Sequence, residues 1–471
     1  MLREIARAET LTAPAFSDRV LDTARQDGQA SPVAGSERRK GQYTASSPAA
    51  TRRRCSISED MSDDQAHSAR GGVVCTATLL PERLSTVHHV ARRMRKASVP
   101  ARGTATATTT VAPTVALPLP PATLQQAWGN VTIHTLPSAL ADNRVFVFEN
   151  AATPDGQWLI GASEPRDFIS NTTRLSYIVR YSVATRQLVT IHPLLHPKSQ
   201  MLALSVDDNW IVWSEADDQP AFSDWTLFAY NRQSGQTRTL AQAIRANGQP
   251  VQGPAPLPVV SNGRVAWGQA IGSVSPDTLS NAVVRMENLA TGQVTTLATK
   301  AGNPYLAWPW IAWGQITTGS DGYVTLKNLE HGQSRQLHAQ PASLGMAGTS
   351  LVYDNTTSVY LITDITQGME SARMLATATN EADHLQFVTL NDRLVAWSQD
   401  SVTQVWDRAE RRLVTLPVTN GQSDSWVGGR TLVWLEPESQ AQQDQDSRNN
   451  LIPAPTFNVI DTASLPVPAG S

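Results

Sequence analysis

The sequence predicts an all-β fold: a β-propeller of seven four-stranded blades, closed by an N-terminal strand and preceded by a disordered tail. Three observations predict it. Short apolar strands recur about every 45 residues, each is followed by a tight hairpin, and the last repeat lacks a strand that an earlier segment can supply. With 471 residues, of which 41 % are hydrophobic, the chain is long enough to bury a sizeable core.

The first hundred residues differ in kind from the rest. Residues 1–102 hold 17 Lys and Arg against 11 Asp and Glu, whereas the remaining chain holds 21 against 30. Because this region lacks sustained apolar periodicity, we expect 1–100 to be a disordered basic tail. The Thr/Ala/Pro-rich residues 101–124 are expected to be a linker, followed by the propeller at 125–466 and a C-terminal tail at 467–471.

Cellular location stays open from these residues. No apolar segment of the kind that a secretory signal needs follows the start of the sequence, and the true start codon could be Met61 or Met94. The best apolar run of the tail, Gly71–Leu80, is too short to cross a bilayer. Both cysteines, Cys55 and Cys75, lie in the tail, so the folded region is no disulfide scaffold. We expect an extracytoplasmic or cell-surface protein, with the cytoplasm as the alternative.

Seven short strands align with one another, and tryptophan dominates their central position. The spacings between successive central residues are 52, 54, 46, 40, 44 and 37. A period in this range is typical of propeller blades or of a solenoid. We call these central residues the anchors: Gly161, Trp213, Trp267, Trp313, Tyr353, Trp397 and Trp434.

The anchor strands are apolar on both faces. In the segment 210–213, Trp210 and Val212 point to one side of the strand, and Ile211 and Trp213 point to the other. Such a strand must be covered on both sides. No amphipathic helix of useful length lies between the repeats, so neighbouring sheets must provide the cover. A ring of small sheets covers every repeat equally, and that arrangement is a β-propeller.

A hairpin follows each anchor strand. Gly235, Gly292, Gly332 and Gly368 can supply a positive φ without steric cost. A short polar side chain stands four residues before each such glycine or its substitute, where it can accept a hydrogen bond from the backbone and fix the turn. We interpret these polar residues as turn formers rather than ligands: Ser182, Asn231, Asn288, Asn328, Asp364, Asp407 and Asp461.

The last repeat contains only three strands. The segment 130–136 (NVTIHTL) resembles the fourth strand of the other repeats. We therefore predict that it completes the last blade and closes the ring, which pairs two otherwise open edges. The segment 143–150 (NRVFVFEN) resembles an anchor strand as well as a first strand, so six or eight blades also fit.

These repeats resemble the TolB-like family of bacterial β-propellers, a WD-repeat-like repeat type, over roughly residues 130–465. The likeness lies in the IVW or VAW anchor and the N-x-x-x-G-Q hairpin. Gly161, Tyr353 and the Arg411-Arg412 pair depart from the pattern. Trp406-Asp407 is similar to a WD repeat, but the other blades lack that dipeptide. The resemblance implies an extracytoplasmic, protein- or glycan-contacting propeller and specifies no catalytic residues.

The loop lengths predict where a partner binds. The loops between second and third strands vary widely, whereas the hairpins between third and fourth strands stay short. Variable loops on a rigid frame usually carry binding, so we expect contributions from 162–174, 214–224, 268–281 and 435–455. Two acidic stretches, 214–224 and 436–446, are interpreted as solvated loops. The calcium-like run Asp444–Asn449 lacks the central Gly and closing Glu of an EF-hand, so we read it in the same way.

No catalytic, cofactor-binding or metal-binding residue is assigned, because the sequence holds no GxSxG, HExxH or phosphate-binding loop. We predict a non-enzymatic binding or scaffold module that contacts a protein or glycan through the variable loops. We also expect a monomer with no cofactor, no nucleic-acid partner and no membrane-spanning segment. One alternative is a propeller enzyme, a glycan lyase or hydrolase with a site in the central funnel. Another is an intracellular hub of the WD-repeat kind.

Overall fold

The computed structural model describes residues 119–467, apart from short gaps at 168–172, 218–221, 254, 273–280, 316–322, 338, 340, 369–370, 379–383, 400–401 and 421–422. The predicted tail at 1–100, most of the predicted linker and most of the C-terminal tail lie outside these residues. The described chain forms seven antiparallel sheets of four or five strands, one for each predicted repeat. These are the seven blades, numbered 1 to 7 in chain order.

Each blade runs from an inner strand to an outer strand in chain order, except in blade 7. The inner strands are Arg144–Ala152, Gln200–Val206, Val259–Ser261, Ala301–Ala307, Leu344–Ala347, Leu385–Leu390 and Ser425–Gly428. The second strands, which carry the anchors, are Trp158–Pro165, Trp210–Ala216, Arg264–Ala270, Trp310–Gln315, Ser350–Asp354, Leu394–Gln399 and Thr431–Glu436.

The two remaining positions complete each sheet. The third strands are Tyr177–Ser182, Trp225–Asn231, Ala282–Asn288, Tyr323–Asn328, Ser358–Ile362, Gln404–Asp407 and Thr456–Asp461. The outer strands are Leu188–Pro193, Thr237–Gln242, Gln293–Thr299, Ser334–Leu337, Arg373–Thr377, Arg412–Thr415 and, from the N-terminal side, His134–Pro137. Short extra strands lie at Ala139–Leu140, beside the inner strand of blade 1, and in a hairpin of Arg245–Ala246 with Gln249–Pro250.

The ring closes as predicted. The N-terminal strand His134–Pro137 pairs antiparallel with Thr456–Asp461 and becomes the outer strand of blade 7. Every inner strand contacts the inner strand of the next blade, and that of blade 7 contacts that of blade 1. The segment 143–150 belongs to the inner strand of blade 1, so the alternatives of six or eight blades are wrong.

The anchors lie in the interfaces between blades, where water is excluded. Trp213 and Trp397 are fully buried, and Tyr353, the most accessible anchor, is only 8 % exposed. Trp213 packs against blade 1 through Ile160 and Ala162, and the later anchors pack against the preceding blade in the same way. At about 25 cal/mol per Å², an indole of roughly 200 Å² contributes about 5 kcal/mol.

Blade 1 solves the same packing problem without a large anchor. A Cβ at Gly161 would lie 2.1 Å from the carbonyl oxygen of Val147, so no side chain fits there. Phe146 of the inner strand fills the interface with blade 7 instead. Its ring lies 5.6 Å from that of Phe457 and 5.2 Å from that of Tyr181, both edge to face.

The hairpins between third and outer strands are built as predicted. In blade 2 the Asn231 side chain accepts hydrogen bonds from the backbone N–H groups of Gln233 and Ser234 at 3.0 and 2.8 Å. Gly235 follows with φ 71°. The equivalent side chains of the other six blades also accept backbone N–H groups two or three residues on. Arg186 and Arg411 adopt the positive φ where glycine is missing.

The end of the predicted linker is folded, which corrects its boundary. Residues Leu119–Thr123 form a strand that pairs in parallel with Arg412–Thr415 and adds a fifth strand outside blade 6. Helix α1 (Leu124–Trp128) follows, capped by Thr123. We call residues 119–128 the N-terminal arm. Because blade 6 presents apolar residues to this arm, a composition rich in Thr, Ala and Pro did not reveal that it packs.

The arm is anchored by a buried hydrogen bond. The Trp128 indole N–H donates to the Asp407 carboxylate at 2.9 Å. The same carboxylate is fully buried and accepts from the Arg393 guanidinium at 2.9 Å. The predicted turn former of blade 6 therefore also fastens the arm.

Candidate functional site

The loops from second to third strands and the connections between blades share one face of the wheel, here called the variable-loop face. The opposite face carries the tight hairpins and is called the hairpin face. Of the predicted contributors, 162–165, 214–216 and 268–270 are still part of second strands, so those loops are shorter than predicted. Parts of them at 168–172, 218–221 and 273–280 lie outside the described residues.

The longest of these loops, in blade 7, holds a folded element. Helix α2 (Gln440–Arg448) begins after Ser439, whose hydroxyl accepts from the Gln442 N–H at 3.4 Å. The expectation of a solvated loop at 436–446 is therefore wrong for most of its length. The run Asp444–Asn449 is helical up to Arg448, which also rules out the extended turns of a calcium loop.

One ion pair holds α2 against blade 1. Asp446, 2 % exposed, contacts the Arg166 guanidinium, and the Arg166 Nε donates to the carbonyl of Ile452 at 3.0 Å. Glu438 lies 3.9 Å from the same guanidinium. Burial, together with the neighbouring Asp446 carboxylate, raises the pKa of Glu438. Composition concealed this element because its only buried side chain is a carboxylate that needs a partner from blade 1.

Blade 2 brings a second set of polar groups to this face. Glu215, 1 % exposed, accepts from the Trp213 indole N–H at 2.7 Å and from the Leu195 N–H at 2.9 Å. Burial raises its pKa despite these hydrogen bonds. Both carboxylate oxygens are thus committed to fixing the anchor and the connection from blade 1.

The neighbouring Ser, His and Asp do not form a catalytic triad. The Ser199 hydroxyl donates to Asp217, and the His196 ring lies 3.4 Å from the other oxygen of that carboxylate. In a triad the imidazole stands between the hydroxyl and the carboxylate and takes the hydroxyl proton. Here the carboxylate stands between them, so no base reaches Ser199.

The central channel opens on the hairpin face as a cavity of about 490 Å³. Its walls are the inner strands of six blades, and Trp308 stands at its mouth. Hydroxyls that line it are already used between blades: Ser205 accepts the Val260 N–H, Ser261 accepts the Trp308 N–H, and Thr389 accepts the Val427 N–H, all at 3.0–3.1 Å. These bonds satisfy inner-strand edges and join each blade to the next.

A cavity of about 470 Å³ lies at the closure seam between blades 7 and 1. His134 and Asp461 line it from blade 7, and Asp155 and Gln187 line it from blade 1. Burial raises the pKa of Asp155, but hydrogen bonds from Thr153 and from the Gln157 N–H more than offset it, so that pKa lies below its usual range. Asp461 is paired with Arg430. The polar groups of this cavity serve turns and ion pairs of the seam.

Sequence analysis missed one recurring polar position. The residue two places after an anchor tryptophan is Glu or Gln, as in Glu215, Gln269, Gln399 and Glu436. In blades 2 and 6 this side chain accepts the indole N–H directly, at 2.7 and 3.3 Å. The Trp-x-Glu/Gln spacing was present in the sequence and could have predicted it, because residues two apart on a strand share a face.

Among the residues that the structure describes, no three His, Cys, Asp or Glu side chains are grouped so that they could hold a metal ion. In the same part of the chain, no helix is long and apolar enough to span a membrane.

Known structures share the blade architecture. The chain is similar to TolB from Acinetobacter baumannii, with 13 % identity over 50 % of this chain and 52 % of that one, and a TM-score of 0.32. It thus spans about half the length of the TolB structure. The WD40 repeats of RRP9 match at 14 % identity over 70 % of this chain and 100 % of that one, with a TM-score of 0.43.

An oligogalacturonate lyase from Vibrio parahaemolyticus matches at 10 % identity over 70 % of this chain and 97 % of that one, with a TM-score of 0.42. Neither a family model nor a curated protein matched the chain. At these identities the structural likeness concerns the fold alone, and the expectation of a propeller with TolB-like and WD-repeat-like blades is confirmed.

Proposed function

We propose that this protein is a non-enzymatic binding module that contacts a protein or glycan partner through the variable-loop face. The observation that carries the proposal is helix α2, an ordered and polar insertion held on a closed, rigid ring by the buried Arg166–Asp446 pair. Presenting a fixed loop on a rigid frame is how scaffold domains build binding surfaces. Of the seven blades, only blade 7 carries such a helix among the described residues.

The buried polar groups near this face support binding rather than chemistry. Glu215 is occupied by Trp213 and Leu195, and Asp354 is occupied by Ser343 and the Thr356 N–H. A general acid or base must have its proton site free to face a substrate. These carboxylates instead fix strands and connections of the ring.

We further propose that the module works outside the cytoplasm, behind the Thr/Ala/Pro-rich residues that precede it. Support for this proposal is the cysteine-free folded region and the linker-like composition before it. Fractionation of the native host tests it: the chain is expected in the envelope or the medium. Recovery of the whole protein in the cytoplasm would overturn this part of the proposal.

Binding is tested with the purified full chain on a glycan array and in a pull-down from host extract. Gln445→Lys changes the exposed surface of α2, and Ala290→Lys makes a similar change in a hairpin on the opposite face. A true partner is expected to lose at least tenfold in affinity to the first variant and to keep its affinity for the second. Equal loss in both variants, or turnover of a polysaccharide by the purified protein, would contradict the proposal.

A further inference from the structure

The outer edges of the propeller blades are protected, with one exception. A free sheet edge invites pairing with another strand, and proteins block it with proline, charge, short length or a covering segment. Blades 1 and 7 end their outer strands in Pro193 and Pro137, blades 2 and 5 carry Arg238 and Arg373, and the outer strand of blade 4 has only four residues, one of them arginine. Blade 6 is covered by the N-terminal arm.

Blade 3 has none of these devices. Its outer strand, Gln293–Thr299, is the longest of the seven and contains neither a charged residue nor proline. It is the last strand of its sheet. The four residues from Gln293 to Thr296 are all exposed, and Val294 is 43 % exposed. Such an edge offers a row of backbone N–H and C=O groups to an added strand.

The arm on blade 6 shows that this wheel accepts an added strand at an outer edge. Leu119–Thr123 pairs there in parallel, although Pro120 and Pro121 supply no N–H. The strand comes from the region just before the ring, and 118 further residues precede it in the sequence. Those residues contain one segment with a strand-forming composition, Gly71–Leu80 (GGVVCTATLL), which is uncharged and rich in β-branched residues.

We infer that Gly71–Leu80 adds to the outer edge of blade 3 as a fifth strand. The segment supplies a strand without a sheet, and blade 3 supplies an edge without a strand. The 38 residues between the segment and Leu119 reach up to about 125 Å when extended, whereas a ring of four-stranded blades is on the order of 50 Å across. Because the segment belongs to the same chain, its effective concentration is about millimolar, which suffices for a weak strand pairing.

The two native cysteines provide the probe for this pairing. Cys75 lies inside the segment and Cys55 lies outside it. In full-length protein with Cys55→Ser, a new cysteine is placed on blade 3 as Thr295→Cys or Thr296→Cys, whose side chains point to opposite faces of the strand. The matched control is Thr190→Cys, an exposed position in the outer strand of blade 1. Intramolecular disulfides formed under mild oxidation at low protein concentration are followed by mass spectrometry.

At least one of the cysteines introduced on blade 3 is expected to join Cys75 at least tenfold faster than the cysteine of the Thr190→Cys control does. It is also expected to join Cys75 at least tenfold faster than it joins Cys55 in a Cys75→Ser background. Val74→Pro in the segment should remove this preference and should reduce the protection of the 293–299 amides against hydrogen exchange. Equal rates at the two edges, disulfides that form only between molecules, or no change in exchange with Val74→Pro would overturn the inference.

Discussion

Replacing Trp128 by phenylalanine tests whether the N-terminal arm is fastened to blade 6 by a buried hydrogen bond. The indole N–H lies 2.9 Å from Asp407, a carboxylate with no solvent exposure. Phenylalanine keeps most of the ring but leaves this buried charge with one donor fewer. A hydrogen bond to a buried charged group contributes about 2 kcal/mol, beyond the smaller cost of the lost ring atoms.

Trp267→Phe is the matched control. Trp267 is 1 % exposed, and its indole N–H has no hydrogen-bond partner among the described residues, so the same substitution there removes packing alone. Urea unfolding followed by circular dichroism gives both free energies of unfolding. We expect Trp128→Phe to cost about 2 kcal/mol more than Trp267→Phe. Equal costs would refute the reasoning that Asp407 holds the arm.

Three further predictions concern the core, the pH dependence and α2. Gly161→Ala should lower the free energy of unfolding by more than about 2 kcal/mol in urea titrations, because the new Cβ would lie 2.1 Å from a backbone oxygen; a neutral effect would contradict the packing of blade 1. Burial raises the pKa of Asp354 from 3.8 to about 6, so its contribution to stability is fully present below pH 3.8 and is lost, by up to about 3 kcal/mol, as the pH rises through 6. Asp354→Asn should flatten that part of the stability–pH curve, and an unchanged curve would count against the buried carboxylate. Arg166→Met should release α2, seen as faster hydrogen exchange at 440–448 with a change in global stability below about 1 kcal/mol; unchanged exchange would show that the ion pair does not hold the helix.

The architecture could be predicted because each blade must solve the same local problems. An anchor strand that is apolar on both faces needs cover on both sides, and a tight hairpin needs a positive φ and an acceptor for its free N–H groups. Both signals repeat along the chain, as Trp213 and Asn231 show for blade 2. The closing strand was predictable for a related reason, since a three-stranded last blade leaves an edge that His134–Pro137 can fill.

The parts that were missed depend on contacts between distant segments. Nothing local in 119–128 shows that Trp128 meets Asp407, 279 residues away. Helix α2 has a polar sequence whose one buried side chain, Asp446, is compensated by Arg166 from blade 1. A composition-based reading treats both segments as solvent-exposed chain, because it records the polarity of a residue but not the partner that satisfies it.

The closed ring is tested most directly by a disulfide across its seam. Thr135 and Asn458 lie on the paired strands of blade 7, and the Thr135 hydroxyl donates to the Asn458 side-chain oxygen at 3.1 Å. In a background with Cys55→Ser and Cys75→Ser, the pair Thr135→Cys and Asn458→Cys is expected to form one intramolecular disulfide and to raise the urea midpoint, because the bond closes a loop of more than 300 residues. Thiols that stay reduced under conditions that oxidise other exposed cysteine pairs, or disulfides that form only between molecules, would contradict the closed wheel.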